Sequence, residues 1–121
     1  MTDKVLHEIS PREAWDLYRE GKAILIDVRE PAEFAVERVR GSLLSPLATL
    51  NPTALPDGKG GKRIIFYCAS GNRSRQAATA YLAAGRAEAT HVLGGMGGWK
   101  EAQLPYVGVD PMTGGIRDRN V

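Results

Sequence analysis

The chain is poor in residues that build disulfides and metal sites, because its 121 residues include one cysteine and two histidines. A single cysteine cannot form an internal disulfide, and it cannot supply the several thiolates of a zinc or iron–sulfur cluster. His7 and His91 lie far apart in the sequence, without a cysteine or carboxylate at ligand spacing. We therefore expect no metal and no other cofactor, and any chemistry of Cys68 uses that thiol alone or with an outside partner.

The sequence also lacks long apolar runs. No stretch approaches the roughly 20 apolar residues that a membrane-spanning helix needs. The first ten residues, MTDKVLHEIS, have the pattern of neither a signal peptide nor an organelle-targeting helix. We expect a cytoplasmic protein without a membrane partner, in which a lone thiol stays reduced.

No strong charge of one sign is present, since 16 basic residues face 14 acidic ones, for a formal net charge of +2. The densest basic stretch, residues 59–63, contains two glycines and no aromatic residue. A basic face with stacking aromatics is typical of nucleic-acid binding, and this pattern is missing. We expect no nucleic-acid partner.

Apolar runs alternate with amphipathic stretches along the chain. The runs predict strands over residues 5–9, 23–26, 42–44, 64–67 and 91–93. Helices are predicted after Ser10, at Pro31, after the segment that follows Cys68, and after the glycines at 94–98. This alternation indicates one α/β domain over residues 1–109 with a central, mostly parallel five-stranded sheet. The polar, glycine-rich tail over residues 110–121 is expected to wrap around the domain or to fray.

The segment from Cys68 to Ser74 joins the strongest predicted strand to a helix. Ligands of parallel sheets bind at the carboxyl ends of the strands, which is where Cys68 falls. A tight loop before a helix turns backbone N–H groups inward, and the helix dipole adds partial positive charge. This setting favours the thiolate, which is the nucleophilic form of cysteine. The alternative is that Cys68 is a small buried hydrophobe at a strand end, for which the following Gly71 and Arg73 would serve no purpose.

Three motifs, in order, resemble the rhodanese family over nearly the whole chain. They are Ile26-Asp27-Val28-Arg29 with Glu33-Phe34 and Gly41-Ser42, then Cys68-Ala69-Ser70-Gly71-Asn72-Arg73-Ser74, then Leu93-Gly94-Gly95 with Gly98-Trp99 and Leu104-Pro105. The resemblance implies a three-layer α/β sandwich and a sulfurtransferase. Cys68 would take a sulfane sulfur from thiosulfate or a related donor as a persulfide and pass it to cyanide or a thiol.

The resemblance also implies the site residues. The substrate-binding loop would be formed by Ala69, Ser70, Gly71, Asn72, Arg73 and Ser74. Backbone N–H groups of this loop would hold the persulfide charge, and Arg73 would orient the anionic donor. For Asp27 and Arg29 we favour structural support of the strand end, as an ion pair, over a direct catalytic role. The expected partners are a small anionic sulfur donor and a thiol or protein acceptor, with the chain as monomer or homodimer.

Two alternatives and one departure accompany this interpretation. Related cysteine phosphatases place five residues between cysteine and arginine, whereas four lie between Cys68 and Arg73 here, which favours a smaller cup for a single sulfur. The second alternative is a non-enzymatic sulfur carrier or docking module of the same fold. The departure is Glu37-Arg38-Val39, which stands where the family usually has Gly-His-Ile.

Overall fold

The computed structural model describes residues 4–121 and builds them around a five-stranded parallel sheet. The strands are β1 (Val5–Ile9), β2 (Ala23–Asp27), β3 (Glu37–Arg38), β4 (Leu43–Leu44), β5 (Arg63–Tyr67), β6 (Glu88–Val92), β7 (Tyr106–Val109) and β8 (Ile116–Arg119). The central sheet has the order β1-β6-β5-β2-β4, and all its pairings are parallel. The prediction of an α/β domain with a five-stranded sheet is therefore confirmed.

The helices are α1 (Pro11–Arg19), α2 (Pro31–Val36), α3 (Asn72–Ala83) and α4 (Gly95–Glu101), with 3-10 turns at Leu47–Thr49 and Pro52–Ala54. The start of α1 matches its sequence signal, because Ser10 and Glu13 form a reciprocal capping box with Pro11 in the first turn. Gly71 and Gly94 precede α3 and α4 with φ of +109° and +76°, a region that glycine enters without steric cost. Within residues 4–121, no helix is both long and apolar enough to cross a membrane.

The core lies on both faces of the central sheet. Leu25, Ile65 and Val92 pack with Trp99 of α4 on one face. Ile26 and Phe66 pack with α3 on the other face. Neighbouring residues of one strand therefore point to opposite buried faces, which is why these strands are apolar without alternation.

A second, three-stranded antiparallel sheet has the order β3-β7-β8. No pattern in the sequence predicts this sheet, because β3 has two residues and β8 is exposed along its whole length. The polar tail supplies β8, the last strand of this sheet. The chain reverses after β7 in a turn where Gly114 N–H donates to Asp110 O and Asp110 N–H donates to Gly115 O, each at 2.8 Å. Part of the tail therefore forms β8, which pairs with β7.

Two predicted helices begin earlier than expected. Helix α3 begins at Asn72, within the segment that follows Cys68, and α4 begins at Gly95, within the run of glycines.

One predicted strand also needs correction. The strand predicted over residues 91–93 begins three residues earlier, at Glu88, and ends at Val92. It is also not the last strand, since β7 and β8 follow it. The strand begins with polar residues, Glu88 and Thr90, so a search for apolar runs does not detect its start. Thr90 is nevertheless buried, because the strand lies beside β1 in the sheet.

Candidate active site

Cys68 lies at the carboxyl end of β5, which the sheet order places between β2 and β6. Four residues separate the end of β5 at Tyr67 from the start of α3 at Asn72. The loop between them, residues 68–71, and the first turn of α3 surround the thiol. Cys68 exposes 1% of its surface, so its sulfur is in contact with the protein more than with water.

Backbone N–H groups converge on the Cys68 sulfur. Gly71 N lies 3.1 Å and Ser74 N 3.3 Å from Sγ, and Ser74 Oγ lies 3.6 Å from it. Burial alone would raise the pKa of the thiol, but hydrogen bonds from Ser74, Gly71 and Ser70 outweigh it and lower the pKa below its ordinary value. The arrangement favours a thiolate or any other anion on this sulfur.

The first turn of α4 holds the loop in this orientation. Met96 N–H donates to Cys68 O at 2.7 Å, and Gly97 N–H donates to Ala69 O at 3.1 Å. A Cβ on Gly95 would overlap the carbonyl oxygen of Cys68, so only glycine permits this approach. With its carbonyls bonded to α4, the loop turns its own N–H groups towards the sulfur.

Arg73 is fixed by an acid from another helix. Its Nη1 and Nη2 donate to Glu33 Oε1 and Oε2 at 2.7 and 3.0 Å. The hydrogen bond from Arg73 lowers the pKa of Glu33 to about 2, against a smaller opposing effect of burial. This bidentate pair ties α2 to α3 beside the loop. Glu33 stands in the first motif, but its spacing from Arg73 along the chain does not predict this ion pair.

Asp27 and Arg29 form a buried ion pair at the end of β2. Arg29 Nη2 lies 2.7 Å from Asp27 Oδ2, and the two side chains expose 4% and 0% of their surfaces. Arg29 also donates to Glu37 O at 2.6 Å and stands over the ring of Tyr67, 5.9 Å from its centroid. The pair thus joins β2 to β3, next to the strand that carries Cys68.

At the unusual Glu37-Arg38-Val39 positions, Glu37 and Arg38 form β3 and Val39 follows it, and each of the three is held by a contact with a neighbouring side chain or backbone group. Lys100 Nζ of α4 lies 2.6 Å from Glu37 Oε1. Arg38 donates to Phe34 O at 3.2 Å and lies over the Phe34 ring. Val39 is buried, and its N–H donates to the hydroxyl of Tyr67 at 3.2 Å. The ion pair, the contact with the Phe34 ring and the hydrogen bond to Tyr67 together fix the position of this segment.

A cavity of about 540 Å³ opens beside the loop at Ala69. Its remaining lining residues are Arg29, Ala32, Glu33, Val36, Glu37, Met96, Gly97 and Lys100. Each charged side chain in this lining has a partner of opposite charge: Arg29 pairs with Asp27, Glu33 with Arg73, and Glu37 with Lys100. The rest of the lining is mostly apolar.

The other loop residues take different positions. Ala69 is partly buried and lines the cavity, whereas the side chains of Ser70 and Asn72 are exposed. Sequence reasoning missed His91, whose Nδ1 lies 2.9 Å from Ser74 Oγ and whose Nε2 lies 2.9 Å from Glu8 Oε2. The only sign of His91 in the sequence is a histidine within a predicted strand. Its partner Glu8 is 83 residues away and reaches it only because β1 pairs with β6.

Comparison with known proteins agrees with this geometry. The model of the family described as Rhodanese-like domain matches residues 10–102. The uncharacterized protein slr1261 of Synechocystis sp. is 40% identical over 99 residues, which are 82% of this chain and 55% of that protein. The chain thus spans about half the length of this relative.

Two further relatives are similar over most of their own length. Thiosulfate sulfurtransferase GlpE of Haemophilus influenzae is 34% identical over 99 residues, covering 81% of this chain and 91% of that protein. The crystal structure of a rhodanese-related protein from Thermoplasma volcanium has a TM-score of 0.72 and 25% identity, covering 84% of this chain and 97% of that one.

Proposed function

The chain belongs to the family of rhodanese-like domains, and we propose that it is a sulfurtransferase that carries sulfane sulfur as a persulfide on Cys68. The observation that carries the proposal is the set of N–H donors around the sulfur, with Gly71 N at 3.1 Å and Ser74 N at 3.3 Å. Fixed donors aimed at a position where negative charge rests stabilise that charge without reorganisation. The name of the Haemophilus relative, a thiosulfate sulfurtransferase, supports the same reaction class.

The first half-reaction loads the sulfur. The Cys68 thiolate attacks the outer sulfur of thiosulfate, and the S–S bond of the donor breaks. Sulfite leaves with the electron pair, and the persulfide on Cys68 keeps a negative charge on its outer sulfur. The loop N–H groups would hold this charge inside the loop.

The second half-reaction unloads it. A thiolate or cyanide attacks the outer sulfur of the persulfide, the bond to Sγ breaks, and the Cys68 thiolate is regenerated. The chain has no second cysteine, so the attacking nucleophile comes from another molecule. The cavity beside Ala69 is the space through which we propose that it arrives, and its paired charges suit a thiol or a protein side chain.

Mass spectrometry after thiosulfate treatment tests the covalent step. The wild-type protein should gain about 32 Da, the mass of one persulfide sulfur, and Cys68→Ser should gain nothing. A wild-type protein that gains no mass from thiosulfate or from a low-molecular-weight persulfide would contradict the proposal.

Turnover separates an enzyme from a carrier of the same fold. An enzyme forms thiocyanate from thiosulfate and cyanide over many cycles, whereas a carrier releases one equivalent per chain and stops. Aryl phosphates test the phosphatase alternative in the same preparation. We expect repeated thiocyanate formation and no phosphate release, and the opposite pattern would reassign the loop to phosphate chemistry.

A further inference from the structure

We propose that Ser74, His91 and Glu8 form a proton relay that ionises the Cys68 thiol, with His91 as a buried positioning residue that accepts the proton through Ser74. The contacts form one continuous path inwards from the surface. Glu8 Oε2 lies 2.9 Å from His91 Nε2, His91 Nδ1 lies 2.9 Å from Ser74 Oγ, and Ser74 Oγ lies 3.6 Å from Cys68 Sγ. The inference rests on the proposed function in one respect, which is that Cys68 is the nucleophile.

The fold explains why these groups meet. Glu8 of β1 and His91 of β6 are register partners in the parallel sheet, so their side chains leave the same face. Helix α3 covers that face and brings Ser74 against the imidazole. His91 exposes 1% of its surface, whereas the Glu8 side chain exposes 37%. The imidazole is therefore sealed from water, and the carboxylate at its far end reaches solvent.

Hydrogen-bond chemistry sets the direction of the relay. The carboxylate of Glu8 can only accept, so neutral His91 carries its proton on Nε2. Its Nδ1 is then an acceptor, and the Ser74 hydroxyl is the donor that faces it. Ser74 Oγ in turn can accept the thiol proton of Cys68. Gly71 O, 3.1 Å from Ser74 Oγ, is the competing acceptor for the hydroxyl.

The ionisation step follows from these roles. The Sγ–H bond of Cys68 breaks and its proton passes to Ser74 Oγ, while the original Ser74 proton passes to His91 Nδ1. The products are a thiolate and an imidazolium, and the net charge is unchanged. In the product state the imidazolium donates to Ser74 Oγ, and the Ser74 hydroxyl donates to the thiolate. The same hydroxyl is placed to donate to the thiolate that leaves when the persulfide is unloaded.

The surrounding charges favour this product state. Glu8 faces the imidazole from β1, and the hydrogen bond from His91 lowers the pKa of Glu8 against a smaller effect of burial, which keeps it ionised. The positive charge of Arg75 in α3 attracts the Glu8 carboxylate and lowers its pKa further. Arg73 of the same helix attracts the Cys68 thiolate. Arg73 is itself bonded to Glu33 of α2. On the side of β2, Asp27 and Arg29 neutralise each other.

Iodoacetamide alkylation of Cys68 as a function of pH tests the relay, because its rate reports the thiolate without any sulfur donor. His91→Asn places an amide opposite Ser74 that can hydrogen-bond but cannot take a proton. His7→Asn is the matched control, since His7 is the other histidine, lies on β1 and pairs with exposed Glu88. Glu8→Gln keeps an acceptor for His91 Nε2–H and removes the charge.

His91→Asn should raise the apparent pKa of Cys68 by about one unit, which lowers the alkylation rate at neutral pH roughly tenfold. Glu8→Gln should move the pKa in the same direction, and His7→Asn should reproduce the wild-type curve. Because the Glu8 side chain is partly exposed, Glu8→Gln tests the relay even if His91→Asn does not fold. Curves for His91→Asn and Glu8→Gln that superimpose on the wild-type curve would overturn the relay.

The outcomes for the relay and for the proposed function are separable. A protein that fails to form a persulfide but shows the predicted shifts in alkylation retains the relay and loses the sulfurtransferase function. A protein that forms the persulfide normally, with alkylation unaffected by both substitutions, retains the function and loses the relay.

Discussion

Both terminal nitrogens of Arg73 are bonded to the carboxylate of Glu33, at 2.7 and 3.0 Å. Sequence reasoning assigned Arg73 to an anionic donor, and the structure gives the guanidinium a partner within the protein. The planar fork of arginine matches a carboxylate in this two-bond geometry and is held rigidly by it. The pair fixes the first turn of α3, which carries Ser74, and it neutralises one positive charge beside the cavity.

Arg73→Ala should reduce kcat/KM for thiosulfate by roughly tenfold or more, equivalent to about 1.5–3 kcal/mol for a charge-assisted contact. The substitution removes the cation and leaves the negative charge of Glu33 without a partner, and both changes disfavour a dianion. Steady-state kinetics with thiosulfate and cyanide measure the effect. Arg117→Ala on the exposed strand β8 is the control. Unchanged kinetics in Arg73→Ala would show that the backbone donors alone recognise the anion.

Glu33 should make stability depend on pH in the acid range. The pKa of this carboxyl falls from its ordinary value of 4.5 to about 2 in the folded protein. A depressed carboxyl pKa stabilises the fold above the unfolded value, and the stabilisation is lost as pH falls towards the folded value. Urea unfolding should therefore show wild type more stable than Glu33→Gln at pH 6, with the difference shrinking between pH 4.5 and about 2.

The comparison needs a control for the loss of an exposed acid. Glu20→Gln removes a carboxylate whose partner Lys22 is exposed, and such surface pairs contribute little. We expect its difference from wild type to stay small across the same range. A Glu33→Gln difference that is constant with pH would contradict the assignment.

Gly95→Ala should destabilise the protein by about 3 kcal/mol, because a methyl group there overlaps the carbonyls of Cys68 and Ala69. Gly95 also has a φ of +55°, which disfavours a side chain. Gly97→Ala is a matched control two residues on, where a Cβ would lie 3.5 Å from Ala69 O in ordinary contact. Urea denaturation of both variants measures the difference. Equal stability of the two would show that the loop moves away from α4 without penalty.

Tyr67→Phe should cost about 1–3 kcal/mol of unfolding free energy, because the buried N–H of Val39 loses its acceptor. The hydroxyl also lies 2.8 Å from Ser42 Oγ, and burial raises its pKa well above the ordinary value. Tyr106→Phe is the control, since the Tyr106 hydroxyl makes no hydrogen bond within residues 4–121. A Tyr67→Phe variant as stable as Tyr106→Phe would mean that water replaces the lost partner.

Much of the fold follows from local signals. The apolar runs of β2 and β5 and the capping box of Ser10 are readable along the chain, because each depends on neighbours in sequence. The small sheet is not readable, because β3 and β8 are short or exposed and depend on pairing with β7. A polar strand without an apolar face has no periodicity by which to recognise it.

The pattern of residues along the chain is enough to predict Cys68 as the nucleophile, to place it after a buried strand and to limit the chain to one thiol. These depend on residue identity and on contacts close in sequence. The surroundings of Cys68 depend on how the chain folds. Glu33 pairs with an arginine 40 residues away, and Gly95 fits against the loop. His91, which is bonded to Glu8, approaches the sulfur through Ser74. The order of the strands and the packing of α3 and α4 bring these groups together. The spacing of residues along the chain predicts neither, because both depend on contacts between distant segments.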